Sequence, residues 1–346
     1  MNCSDLNIGI GEFPKGAGNL ITDVPGVRVG HVTINDERSK TGVTVVLPCD
    51  GNVFRDKLIA ASFVLNGFGK TQGLVQVDEL GTLETPIALT NTLNVGLVHD
   101  AMVEYMLGVC AKDGIELTSV NPVVCECNDA SLNDISLRAV HKEHVFEAIK
   151  NADTLFAQGD VGCGKGMTCH GLKGGVGSAS RLIEIESRAF TLGVLAQTNH
   201  GSLRDLRIDG KPVGRDIYNR LYEDKPDEGS CIVIVATDLP LTSRQLRRVI
   251  KRAAVGLARN GSYFGHGSGD VFIGFTTANR IYTGKSAFHS MEVLDEGCIN
   301  SAFRACAEAT EEAVLNSMLA ANPVTGYSGK HRYSLSEFVE LTGKDF

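Results

Sequence analysis

The sequence predicts an α/β (α+β) fold, a four-layer αββα sandwich of buried sheets covered by helices, and three observations carry that expectation. The strongest β-runs, such as residues 231–236, are continuous and apolar rather than alternating, which is how strands covered on both faces read. Runs of strands alternate with pairs of segments that carry apolar residues at helical spacing. The chain has 39 glycines in 346 residues, neither periodic nor low-complexity, so glycine serves tight turns and close backbone approaches.

In chain order, residues 9–46 alternate short apolar runs with turn signals such as Val24-Pro25-Gly26 and read as β-structure. Residues 92–111 place Val95, Val98, Met102 and Met106 on one helical stripe, and a second helix is expected at 137–150. Between them, 120–127 reads as a buried strand that ends in a polar turn, Asn128-Asp129-Ala130-Ser131, a candidate site edge. A glycine-dense stretch at 159–177 leads to strands expected at 182–185 and 190–197. The charged connection 222–229 is the clearest break in composition and precedes the apolar strand 231–236. Residues 242–259 read as one amphipathic helix, with Leu246, Val249, Ile250, Ala253 and Leu257 inward and Arg244, Arg248, Lys251 and Arg252 solvated. A strand at 271–278 and a long helix at 301–321 follow, the latter with Phe303, Ala307, Val314 and Met318 inward and Thr310 interrupting the stripe.

Composition narrows the function. Hydrophobic residues make up 43% and charged residues 21%, and mean hydropathy is +0.01, values of an ordinary globular chain rather than a disordered or membrane one. No apolar run approaches the roughly 20 residues of a bilayer span, and no basic segment followed by an apolar one opens the chain, so a cytoplasmic protein is expected. A net charge of -8 gives no footprint for nucleic acid. The ten cysteines are read as reduced thiols. A single catalytic domain over 1–346 is expected, with no metal and no cofactor. The run Gly159 to Gly166 nearly spells a phosphate loop, but Gly166 stands where the magnesium-binding hydroxyl belongs. A zinc set drawn from Cys125, Cys127, Cys163, Cys169 and His170 lacks the usual paired spacing.

The pair Gly229-Ser230 opens the apolar strand. By itself Gly-Ser before a strand is ordinarily a turn. It also has a chemistry: attack of the Ser230 hydroxyl on the Gly229 carbonyl, followed by ester hydrolysis, frees the Ser230 α-amine. That amine has a pKa near ~7.7–8.0 and can serve as base for its own side chain.

The run from Gly229-Ser230-Cys231 through Asp238-Leu239-Pro240-Leu241 resembles the cleavage strand of the self-processing aminopeptidases typified by L-aminopeptidase D-Ala-esterase/amidase and the β-peptidyl aminopeptidases. Further similar stretches are Glu84 to Thr92, Pro122-Val123-Val124 through Glu126 to Leu132-Asn133-Asp134, Gly164-Lys165-Gly166-Met167 with Lys173-Gly174-Gly175, and His266-Gly267-Ser268-Gly269-Asp270. They cover most of residues 7–320; the tail after Pro323 lies outside the resemblance. The resemblance implies an N-terminal-nucleophile-like fold, with the connectivity of these aminopeptidases and of ornithine acetyltransferases. It also implies cleavage between Gly229 and Ser230 into 1–229 and 230–346. Ser230 would be the nucleophile, with Ser268 and Asp270 supporting it and its amine, and Asn199 donating to the oxyanion. Glu126 would hold the substrate's ammonium group.

The resemblance has three departures. Asp270 stands where the β-peptidyl members carry glutamate, Asn128 where the esterase/amidase type has a tyrosine near the oxyanion, and His200 where an aromatic residue is usual. The implied partners are a small peptide, amide or ester with a free amino group and further copies of the chain, a tetramer of processed pairs. Two alternatives stand beside this reading. One is an unprocessed binding or scaffold protein, and the other is an acyltransferase on the same fold, whose nucleophile is threonine in the ornithine acetyltransferases.

Overall fold

The computed structural model describes residues 1–221, 227, 229–282, 284 and 286–342; of the charged connection before Ser230, positions 222–226 and 228 lie outside the described residues. The strands are β1 (Arg28–Asn35), β2 (Lys40–Leu47), β3 (Asp56–Gly67), β4 (Thr82–Leu83), β5 (Ile87–Asn91), β6 (Val123–Cys127), β7 (Thr168–Cys169), β8 (Leu172–Lys173), β9 (Gly175–Ile185), β10 (Arg188–Asn199), β11 (Ser230–Thr237) and β12 (Gly269–Tyr282), with a C-terminal pair β13 (Val324–Thr325) and β14 (His331–Arg332). The longer helices are α1 (Leu74–Leu80), α2 (Val95–Lys112), α3 (Lys142–Lys150), α4 (Val213–Leu221), α5 (Ser243–Ile250), α6 (Ala253–Arg259) and α7 (Ile299–Leu319).

Two sheets face each other, one ordered β1-β2-β5-β6 and the other β4-β3-β12-β11-β10-β9. Three apolar clusters separate four layers, as the sequence predicts. The first packs α2 and α3 on Val43, Val45, Ala88 and Val124. The second lies between the sheets, where Ile87, Leu89, Cys125 and Cys127 meet Ile232, Ile234, Ile273 and Phe275. The third packs Cys231, Val233, Val235 and Phe272 against α5, α6 and α7. Alternate residues of β11 thus enter different clusters, and the strand is apolar from Cys231 to Ala236 because both of its faces are covered.

Residues 9–27 form bends and one 3-10 turn rather than the expected β-structure, and α1 and α4 are not among the expected elements; four further elements differ from the sequence expectation, each for a physical reason. The central strand β3 is hidden by Ala60-Ala61-Ser62, small residues with little β preference. Strand β9 starts at Gly175 rather than at 182. Its glycines are needed because a Cβ at Gly177 would collide with the Ala313 carbonyl of α7. The segment 242–259 is two helices that break at Lys251 and Arg252; Thr242 caps the first, its hydroxyl accepting from Gln245 N–H at 3.2 Å while Gln245 Oε1 accepts from Thr242 N–H at 3.0 Å. Its basic face is paired rather than merely solvated, since Arg244 and Arg248 both bridge to Glu296. Helix α7 is buried almost all round instead of along one stripe, with Phe303 only half-buried. The buried Glu312 on α7 is met by Arg181 at 2.8 Å and by Lys15 at 2.6 Å, which satisfies charge that burial would otherwise penalise.

The glycine-dense segment forms no phosphate loop. Gly162–Gly164 is a single 3-10 turn, Lys165 pairs with Asp160 at 2.7 Å, and strand β7 rather than a helix follows. The buried Lys173 ammonium ties the segment together by donating to the carbonyls of Gly164 and Met167 at 2.9 Å and of Gly174 at 2.7 Å. Burial pulls this lysine down to about 7.

Candidate active site

Strand register assembles the site. Ser230 heads β11, directly opposite Asn199 at the end of antiparallel β10 and beside Gly269 at the start of parallel β12, so that Asp270 pairs with Cys231. Glu126 lies near the end of β6 in the other sheet. Ser230, Asn199, Glu126, Asn128 and Gly229 line one cleft of about 350 Å³. Ser268 and Asp270 are buried beside it and do not line it.

Gly229 has a φ of +126°, a conformation that favours glycine. The place its Cβ would occupy is filled by the Asn199 carbonyl. The Gly229 carbonyl accepts from Gly269 N–H at 2.9 Å, which polarises the peptide that precedes Ser230. Two residues upstream, buried Asp227 anchors the segment. Its carboxylate accepts from Gly201 N–H at 2.8 Å, Ser262 hydroxyl at 3.0 Å, Tyr263 N–H at 2.8 Å and Phe264 N–H at 3.0 Å. Behind the serine, the Cys127 thiol donates to the Ser230 carbonyl at 3.4 Å; burial first, then the Glu126 charge, push this thiol well up, so it acts as a neutral donor.

The Asn199 amide is oriented by its partners. Its oxygen accepts from Thr168 N–H at 3.0 Å, and its nitrogen donates to the Asn128 carbonyl at 3.0 Å. Asn128 thus meets Asn199 through its main chain, while its exposed side chain accepts from Ala130 N–H at 3.0 Å and closes a local turn. Glu126 is fixed by Lys70 N–H at 2.9 Å and by the Thr92 hydroxyl, with its carboxylate on the cleft wall.

The Ser268 hydroxyl and both Asp270 carboxylate oxygens have no partner at hydrogen-bonding geometry. Burial pushes the Asp270 carboxyl up to about 7, more than the neighbouring Ser268 hydroxyl pulls it down. The folded state therefore keeps this proton where the unfolded chain, at about 3.9, releases it, and stability falls as pH rises from about 4 to about 7. In a Ser230→Ala background, which keeps the chain uncleaved, Asp270→Asn is expected to flatten that part of the urea-midpoint profile. Equal slopes with and without Asp270 would count against it.

Several contributors were not singled out from sequence: Gly269 through its N–H, Asp227, Thr168, Lys70 and Arg332. Thr92 closes a stretch the resemblance had marked, so a signal for it existed. Arg332 had none, because the tail after Pro323 lies outside the resemblance, yet β14 brings Arg332 to the cleft wall.

The chain matches the family model described as Peptidase family S58 over residues 19–332. It is 39% identical over 350 residues to the beta-peptidyl aminopeptidase BapA of Sphingosinicella microcystinivorans, covering 94% of this chain and 87% of that protein. It superposes on the PH0078 protein from Pyrococcus horikoshii OT3 with a TM-score of 0.93 at 46% identity, covering 99% of this chain and 98% of that one. With the L-aminopeptidase D-Ala-esterase/amidase of Ochrobactrum anthropi, described as a prototype for the serine aminopeptidases and a new variant among the Ntn hydrolase fold, the TM-score is 0.91 at 33% identity over 99% of both chains. The N-terminal-nucleophile-like fold expected from the resemblance is thus the one this chain adopts. Sequence and structure agree over nearly the whole length, and this chain belongs to peptidase family S58.

Proposed function

We propose that the protein is a serine aminopeptidase or amidase that matures by cutting itself between Gly229 and Ser230. One observation carries the reading: the sheet places Ser230 at a strand head between Asn199 and Gly269, with the preceding carbonyl already bonded to Gly269 N–H. For maturation, Ser230 Oγ adds to the Gly229 carbonyl, the peptide C–N bond breaks, and the acyl group moves to oxygen as an ester. Water then hydrolyses the ester, leaving a Gly229 carboxylate and a free Ser230 amine. The chain 1–346 stays one domain, now made of 1–229 and 230–346.

In turnover the amine takes the Ser230 hydroxyl proton, Oγ attacks the substrate carbonyl and Asn199 donates to the oxyanion; the substrate C–N bond then breaks, its amine leaves with the proton from the Ser230 ammonium, and water hydrolyses the acyl ester to release the acid. Asp270 on β12 and Ser268, just before that strand, support the amine. Glu126, a carboxylate held on the cleft wall, pairs with the substrate's ammonium, so a blocked N-terminus is rejected. Asn128 holds the Asn199 amide through its carbonyl, leaving the second N–H of that amide for the oxyanion. The homo-oligomer, a tetramer of processed pairs, and the cytoplasmic location rest on the family resemblance and the sequence. No helix among the described residues is long and apolar enough to cross a membrane.

The test uses aminoacyl p-nitroanilides with free and N-acetylated amino groups. Release of nitroaniline from the free form only is expected, and Glu126→Gln should raise KM roughly 10- to 100-fold, the worth of a hydrogen bond to a charge. No release from any free aminoacyl anilide would favour the scaffold reading, and equal turnover of acetylated substrate would remove Glu126 from its role.

A further inference from the structure

Behind the cleft wall lies a group of side chains that the proposed reaction does not use. Cys169 Sγ and one ring nitrogen each of His170 and His200 lie within 4.8 Å of one another, all three residues buried. The hairpin of β7 and β8 supplies the first two, the residue after β10 supplies the third, and a backbone bond from His170 N–H to the His200 carbonyl at 2.7 Å locks the two strands together. The imidazoles meet edge-on, with centroids 5.4 Å apart.

Their hydrogen bonding is incomplete in a particular way. His170 Nδ1 faces the Ser202 carbonyl at 3.0 Å. A carbonyl only accepts, so that nitrogen carries the hydrogen and Nε2 keeps its lone pair. Nε2 has no partner, and neither ring nitrogen of His200 has one. Metal-bound histidines commonly show this pattern, one nitrogen donating to a carbonyl and the other turned to the ion. The sequence missed this because it grouped Cys169 and His170 with Cys125, Cys127 and Cys163. Those three pack in the apolar layer between the sheets, whereas His200 comes from a different strand end.

We propose that Cys169, His170 and His200 form a binding site for one borderline-soft divalent cation of the zinc class. A thiolate and two imidazoles suit such an ion, whose tetrahedral bonds are about 2.0–2.3 Å. The fourth position is left to water. Gly171 and Gly201, the chain neighbours of the two histidines, line the cleft. Bound in its site, the ion fixes the strand end that carries Asn199 and the Gly201 N–H that anchors Asp227.

The experiment loads the full chain, stripped with chelator and dialysed, with Zn2+ and separately with Co2+. Native mass spectrometry should show one retained zinc per chain. Cobalt should give a thiolate-to-metal charge-transfer band, and zinc should raise the thermal midpoint. Cys169→Ala should abolish the band, and His200→Phe, which keeps ring volume, should abolish retention, while Cys298→Ser, a change at a half-buried cysteine outside the group, should alter neither. A wild-type chain that retains no zinc and gives no cobalt–thiolate band overturns the proposal whatever the variants do. Stoichiometric binding that survives Cys169→Ala in a folded protein overturns it too.

Discussion

Ser230→Ala is expected to remain a single chain of 346 residues by intact-mass spectrometry, while the wild type resolves into 1–229 and 230–346. The substitution removes one oxygen from a buried strand head and leaves the Asp227 anchor and the Gly229–Gly269 bond intact, so the fold should persist and only the chemistry should stop. Hydrolysis of aminoacyl anilides should fall on the order of 10⁶-fold, as for loss of a hydrolase nucleophile. Two outcomes would break the argument. Cleavage at 229/230 in the variant would mean that another group attacks the Gly229 carbonyl. A wild type that hydrolyses substrate while staying uncleaved would mean that the Ser230 amine is not its base.

The reasoning at Gly229 also shows how far the sequence reaches. A glycine before a serine at the start of an apolar run is readable as a turn, and its usefulness for a strained peptide is readable as chemistry. That its Cβ position is filled by the Asn199 carbonyl is not, because Asn199 is thirty residues upstream and only the β10–β11 register brings it there. Layer order was legible for a related reason: strands such as β11 and helices such as α2 report their own burial through residue type and spacing. Helix α7 misled because its glutamates are buried against Arg181 and Lys15, which are distant in sequence. Around the cleft, the side chains singled out in recognisable stretches do come together: Ser230, Asn199 and Glu126 line it, and Ser268 and Asp270 lie buried beside it. The backbone groups that bond around them, the Gly269 and Thr168 N–H and the Asn128 carbonyl, carry no residue-type signal.

Asn199 offers the sharpest separation of a chemical role from a structural one. If its amide donates to the oxyanion, Asn199→Ala should lower kcat about 100- to 1000-fold, as for removal of one oxyanion donor. Alanine alone does not decide the matter, since it also deletes the bond from Thr168 N–H and opens a gap at the end of β10. Asn199→Asp does decide it. Aspartate keeps the shape and an acceptor for Thr168 N–H but loses the donor to the Asn128 carbonyl, so a purely structural role would show as lost thermal stability with kcat kept in the folded fraction. The variant has no donor to offer, and its charge would face both the Asn128 carbonyl and the developing oxyanion. The expected result is therefore a loss at least as large as that of alanine, in kcat more than in KM, with thermal stability closer to wild type. If the aspartate variant kept wild-type kcat, the oxyanion donor would have to be a backbone group, with Gly269 N–H, already bonded to the Gly229 carbonyl in the uncleaved chain, the one to examine.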